Sequence, residues 1–366
     1  MKLAQHWLVP ALAVLCTAGA ASAQAATPAA SPAASALAAC LALAGDAERL
    51  SCYDRLHGRI PSPAPPPPDA PTPARRLSEV QSQGAVSTEE TRRAFLGSSL
   101  SERWELDPEH ALVNFLPRPY KPVYVLPLSW ASSANLLPDS GSPGRQVSSP
   151  LDIDKAEAKF QLSLKSKLWT LPHDGGLSLW GAYTQSSRWQ VYNGRSSRPF
   201  RETNYEPELI LAMRTDFELL GWRARLASVS FNHQSNGRAL PLSRSWNRII
   251  GELSLEHGET TLSLRPWWRL KERFAHDDNP GIEDHVGRGE LLVTHKLGRQ
   301  VLSLQARHSL RGGERSRGSL QLEWAFPLGG GLHGYAQLFS GHGESLIDYN
   351  HRQTRLGLGI SVVEWR

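Results

Sequence analysis

The chain has 366 residues, 40% of them hydrophobic, and sets 40 Lys+Arg against 35 Asp+Glu for a formal charge of +5. That length can bury a sizeable core, and the basic residues are scattered rather than gathered into one patch, which argues against nucleic acid as a partner. Beyond the N-terminus no run of about 18 apolar residues occurs, which argues against a helical membrane span and leaves a barrel span open.

The first segment, "MKLAQHWLVPALAVLCTAGAASA", places Lys2 before an apolar run and ends on Ala21-Ser22-Ala23, the pattern of a secretory signal over residues 1–23. The mature chain is therefore expected to leave the cytoplasm. Residues 24–60 are rich in Ala, Leu, Glu and Arg and favour helix. Cys40 and Cys52 are the only cysteines left once the signal is removed, and an oxidising compartment makes a bridge between them the default. In one straight helix they would stand about 18 Å apart, out of disulfide reach. The chain is thus expected to fold back at Gly45-Asp46 into a stapled, periplasmic helical hairpin. A metal site at these cysteines would need a matching His pair, which is missing. Residues 61–78, with "PSPAPPPPDAPTPARR", form a proline linker that stays extended. Residues 79–115 lead into a final region, 116–366.

That region reads as strands. Twelve segments, from "PVYVLPLSW" (122–130) and "KFQLSLKSKLW" (159–169) to "TRLGLGISVVEW" (354–365), alternate apolar with polar or small residues over about ten positions. Their connections alternate too: short ones such as "ELLG" and "HGE", and long ones at 131–155, 191–203 and 273–284. The glycine-rich "PLGGGLHG" reads as another turn, since no helix follows it to hold a phosphate. An even strand number, short turns on one rim and long loops on the other predict an all-β, twelve-stranded antiparallel transmembrane barrel of the outer membrane. A soluble β-sandwich also has many alternating strands but gives no reason for aromatic-rich faces on nearly every one.

Side-chain parity singles out "FNHQSNGRALPLSRSWNR" (231–248). Ala227, Val229, Phe231, His233 and Ser235 share one face of a strand, and Ser228, Ser230 and Asn232 the other. On the next strand Asn247 shares its face with Ile249, Gly251 and Leu253. His233, Ser235 and Asn247 therefore top apolar, lipid-facing rows, and antiparallel pairing across 236–243 can set Asn247 beside His233. Polar groups at the head of a greasy face are costly, and these three have the form of a nucleophile (Ser235), a base (His233) and a group that orients the base (Asn247). A nucleophile facing outward near the headgroups would meet phospholipid esters. The plainer reading is a polar strand end in the interfacial belt. A porin or an adhesin-like barrel without catalysis stays open as an alternative; an open pore sits poorly with a lumen lined by Arg, Glu and Gln. The remaining histidines, His110, His173, His257, His295, His308, His333, His342 and His351, lack metal-like spacing and are expected to be solvated.

The motifs "AYTQ" (182–185), "PFRETNYEP" (199–207), "FNHQSNGR" (231–238), "SRSWNR" (243–248) and "SGHGESLIDYNHRQTRLGLG" (340–359) resemble those of the outer membrane phospholipases A of Gram-negative bacteria, from about Tyr120 to the C-terminus. The resemblance implies calcium-dependent hydrolysis of acyl esters of phospholipids and lysophospholipids, of phospholipase A1 and A2 type, by a Ser235–His233–Asn247 triad. It also implies a homodimer in the active state, with Gln185 in the dimer interface. Each calcium (Ca2+) would be held by the Ser243 hydroxyl, the Arg238 carbonyl and Ser197 of the neighbouring barrel. Physical chemistry supports the metal: Asn cannot supply the negative charge of a triad Asp, and a cation can offset the developing oxyanion. Hydroxyls and carbonyls are ligands that calcium accepts. The chain departs from the pattern of such barrels in ending "EWR", with the terminal aromatic displaced by one residue.

Overall fold

The computed structural model describes residues 32–58, 99–171, 176–274, 276–329 and 331–365. The signal (1–23), the proline linker (61–78) and His173 lie outside them. The chain divides into two compact units, Met1–Gln83 and Gly84–Arg366.

In the first unit, helices α1 (Pro32–Leu41) and α2 (Asp46–Leu56) are joined by a short turn. Asp46 and Glu48 occupy the first turn of α2, where acidic groups complement the helix dipole. Cys40 and Cys52 form a disulfide across the turn, with Cα atoms 5.5 Å apart.

The second unit begins with a one-turn helix, α3 (Leu100–Trp104), held by a reciprocal capping box between Ser99 and Glu102. A two-residue strand, β1 (Arg118–Pro119), follows it. Twelve strands come next: β2 (Val123–Ala131), β3 (Ala156–Thr170), β4 (Leu177–Trp189), β5 (Phe200–Leu219), β6 (Trp222–Ser235) and β7 (Ser245–His257), then β8 (Thr260–Leu270), β9 (Gly289–Leu297), β10 (Gln300–His308), β11 (Gly318–Gly329), β12 (Leu332–Gly341) and β13 (Gln353–Val363). Each pairs antiparallel with its neighbour in sequence, and β13 pairs with β2 to close the ring. Every one of the twelve expected segments lies on one of these strands. Among the described residues no helix is long and apolar enough to cross a membrane; the strands do it.

Alternation sorts the two faces. On β6, Val229 is 55% and Phe231 45% exposed, while Ser230 and Asn232 between and beside them are buried. The outward rows bear Leu, Val, Phe and Trp, as lipid demands. Many inward residues are ionic and paired. Glu344 sits 2.8 Å from Lys159 and 3.1 Å from Arg188, and Arg201 bridges Glu157 and Asp348 at 2.8 and 2.7 Å. Nearer the other rim Arg265 reaches Glu290 at 3.2 Å and Glu252 at 3.4 Å. Pairing of this kind offsets the cost of burying these charges; Lys165 instead sets its Nζ over the Trp104 ring, 3.0 Å from the centroid. A cavity of about 130 Å³ remains among them, so the lumen is packed rather than open.

The short-turn end is stoppered by the segment ahead of the barrel. Trp104 packs edge-on against Trp180 (centroids 5.5 Å apart) and Tyr120 (6.0 Å), within an apolar cluster that includes Leu100, Leu106, Ile210 and Leu226. Leu100 N donates to Glu256 Oε1 at 2.9 Å, fastening the helix to β7. At the "PLGGGLHG" turn Gly329 and Gly331 take φ of 112° and 82°, which suits glycine alone. Not every histidine is solvated: His333 Nδ1 lies 2.9 Å from Glu364, and His342 is half-buried beside His285. His333 meets Glu364 because β12 pairs with β13, and His342 lies just past the end of β12 beside the loop that carries His285.

Candidate active site

The long-loop rim gathers the candidate residues. β6 ends on Ser235 and β7 begins at Ser245, so the loop 236–244 carries Arg238 and Ser243 at the lip. Register places His233 directly opposite Asn247 and Ser235 opposite Ser245. All three candidates are half-buried on the outer face.

His233 Nδ1 and Asn247 Oδ1 are 2.8 Å apart. An amide oxygen only accepts, so Nδ1–H donates and Nε2 keeps a free lone pair. That is the tautomer a general base requires. Asn247 Nδ2 in turn donates to Glu272 Oε1 at 3.4 Å, which holds the amide with its oxygen toward the ring. Burial, together with the nearby Asp277 and Asp278 carboxylates, raises the Glu272 pKa. Ser235 Oγ makes no hydrogen bond among the described residues; it lies two residues beyond His233 on the same face of β6, and the structure does not join the two side chains.

Around the loop the calcium candidates divide. Ser243 Oγ donates to Asp278 Oδ2 at 2.7 Å, and Ser245 Oγ donates to the same oxygen at 3.2 Å. Arg145 Nε donates to the other carboxylate oxygen at 2.8 Å. Burial acts to raise the Asp278 pKa, but the bonds from Ser243 and Arg145 outweigh it and hold the group below the usual carboxylate range. Arg238 is exposed, and its carbonyl accepts no hydrogen bond among the described residues. Ser197 is exposed in the loop between β4 and β5 with φ of 58°, and among the described residues no hydrogen bond joins it to Ser243 or Arg238. Neutral hydroxyl and carbonyl oxygens beside one anionic carboxylate form a donor set that fits a hard cation of calcium's kind. Gln185 faces outward on β4, where Tyr183 Oη donates to its Oε1 at 3.1 Å beside the exposed Leu162.

Glu272, Asp278 and Ser245 are the residues that sequence reasoning missed. Glu272 and Asp278 lie in the loop 271–288, which the whole of β8 separates from Asn247. The available signal was the alternation of rims, which sets this loop on the same side as 236–244.

An outward polar pair and a serine at the rim of a closed antiparallel barrel define an outer-membrane barrel with a hydrolase-like constellation on its wall. The model of the phospholipase A1 family matches residues 100–362, and the chain belongs to that family. A putative phospholipase A1 of Neisseria meningitidis is 34% identical over 341 residues, covering 87% of this chain and 88% of the relative. Among solved structures, the Salmonella typhi outer membrane phospholipase dimer with bound calcium is 35% identical with a TM-score of 0.63, covering 73% of this chain and 98% of that one. An active-site mutant of Escherichia coli outer membrane phospholipase A, with an asparagine changed to alanine, is 34% identical with a TM-score of 0.62, over 75% of this chain and 98% of that one. The protein is an outer-membrane barrel of this family.

Proposed function

We propose that the protein hydrolyses acyl esters of phospholipids and lysophospholipids, with phospholipase A1 and A2 activity, at the outward rim of β6 and β7. The observation that carries this reading is the 2.8 Å bond between His233 Nδ1 and Asn247 Oδ1 on the lipid-facing side. Ser235 Oγ attacks the ester carbonyl carbon as His233 Nε2 takes the hydroxyl proton. Collapse of the tetrahedral intermediate breaks the bond to the glycerol oxygen, which leaves with that proton. Water then attacks the acyl-serine, again deprotonated by His233, and the fatty acid departs. Asn247 holds the tautomer throughout, and Glu272 holds Asn247.

Ser243 Oγ, the Arg238 carbonyl and Ser197 of a second copy would hold calcium, whose charge stabilises the developing oxyanion. The bound calcium and dimeric state of the Salmonella relative support both points. Gln185 supports a dimer on physical grounds, because an amide on a lipid-facing strand gains from a polar partner across a subunit boundary. The disulfide hairpin is read as a periplasmic appendage.

The test is fatty-acid release from phospholipid in mixed micelles. Ser235→Ala is expected to abolish it and a calcium chelator to suppress it. Undiminished hydrolysis by the Ser235 variant would remove the nucleophile assignment, and undiminished hydrolysis under chelation would remove the metal.

A further inference from the structure

A second feature of the long-loop rim lies away from the catalytic strands. On the wall formed by β10–β13 an open cleft of about 620 Å³ is lined by Arg317, Arg352, His308, His342, Ser316 and Ser340. The loop that overhangs it, 309–317, carries three arginines (Arg311, Arg315, Arg317) against one glutamate (Glu314). The nearby Asp284 is taken up by Arg288 at 2.7 Å and Arg311 at 3.9 Å. Arg317 and Arg352 have no carboxylate partner among the described residues. Arg317 Nη1 bonds to His285 Nε2, which aims the guanidinium across the loop. Burial at the cleft wall depresses the His342 pKa to about 4, helped by the adjacent His285 and, less, by Arg317 and Arg352. His342 thereby stays neutral in a cleft that it shares with Arg317 and Arg352. The floor is backbone: a Cβ on Gly318 would run into the Arg307 carbonyl oxygen, so only glycine lets β10 and β11 approach so closely there.

The same strands continue below the cleft as an outward apolar surface bearing Leu302, Leu322, Trp324, Leu338 and Leu356. Cations above and hydrocarbon below, on one wall at one membrane interface, are complementary to one kind of molecule. The geometry points to a binding site for a phosphate-bearing lipid of the outer leaflet, its phosphate between Arg317 and Arg352 and its acyl chains along the leucines of β10–β13. Paired arginines suit phosphate because the guanidinium fork meets its oxygens two at a time, and basic pockets at an interface recruit anionic headgroups. In the ring of twelve, β10 stands six strands from β4 and shares no strand with β6 and β7. The lipid would therefore be retained rather than hydrolysed.

The experiment is native mass spectrometry of the full-length protein in detergent with three probes: a phosphorylated glycolipid, its dephosphorylated form, and inorganic phosphate. The unaltered protein and Ser235→Ala are expected to retain the phosphorylated glycolipid equally. The pair Arg317→Gln with Arg352→Gln is expected to lose at least about tenfold in affinity, with hydrolysis unchanged as the sign of correct folding. Leu338→Ser is expected to weaken glycolipid and leave phosphate alone. Equal retention by the arginine variant, equal retention of the dephosphorylated form, or binding of inorganic phosphate as tight as that of the glycolipid would each overturn the proposal.

Discussion

Asn247→Ala isolates the function of the orienting amide. The substitution deletes the 2.8 Å bond to His233 Nδ1 and leaves the strand pairing of β6 with β7 intact. As Ser235 loses its proton the imidazole becomes cationic, so the lost bond is charge-assisted and worth about 1.5–3 kcal/mol. At 1.36 kcal/mol per tenfold, kcat should fall about 10- to 150-fold. KM should hold, since the amide faces the ring and not the substrate. Glu272→Gln should cost far less, because the glutamine oxygen still accepts from Asn247 Nδ2. The double variant decides the route: if Glu272 acts only by holding Asn247, then Asn247→Ala with Glu272→Gln should be no slower than Asn247→Ala alone. The assay is initial-rate hydrolysis of a phospholipid analogue in micelles under saturating calcium. A loss below about twofold in kcat for Asn247→Ala, or a loss confined to KM, would refute the orienting role.

Other outcomes follow from the packing. Glu344→Gln removes the anion shared by Lys159 and Arg188, and losing one partner of a buried pair costs about 3–5 kcal/mol; heat-modified gel mobility should show a lower unfolding temperature, and planar bilayers no new conductance, because the other lumenal pairs stay in place. His342 has a folded pKa near 4, below its unfolded value of about 6.5, so the folded state favours the neutral ring. Its contribution is present above about pH 6.5 and is lost as pH falls toward about 4. The drop should be modest, since the ring is half exposed. Thermal unfolding followed across that range should flatten in His342→Gln, and an unchanged slope would count against the assignment.

The barrel was legible because its period is two. Lipid on one side and ions on the other force strict alternation, and the same parity puts His233, Ser235 and Asn247 outward. Two things were not legible. Glu272 and Asp278 meet the site by way of a loop that follows β8, and linear order does not say which loops lean together. The stopper around Trp104 was also hidden: five helical residues span too little of a 3.6-residue period to register, although Ser99 and Glu102 have the spacing of a capping box.

One rung inward from the His233–Asn247 pair, Asn232 lies opposite Arg248, and Arg248 Nη2 donates to Asn232 Oδ1 at 2.7 Å inside the barrel. Trp246 and Trp267 flank that guanidinium at 4.1 and 5.3 Å. A slip of one residue between β6 and β7 would break this interior clasp and in the same motion carry histidine away from asparagine. The wall is a single strand thick, so its dry side works as a ruler for its oily side. The alignment of the proposed triad is thereby guarded by residues that no substrate would meet.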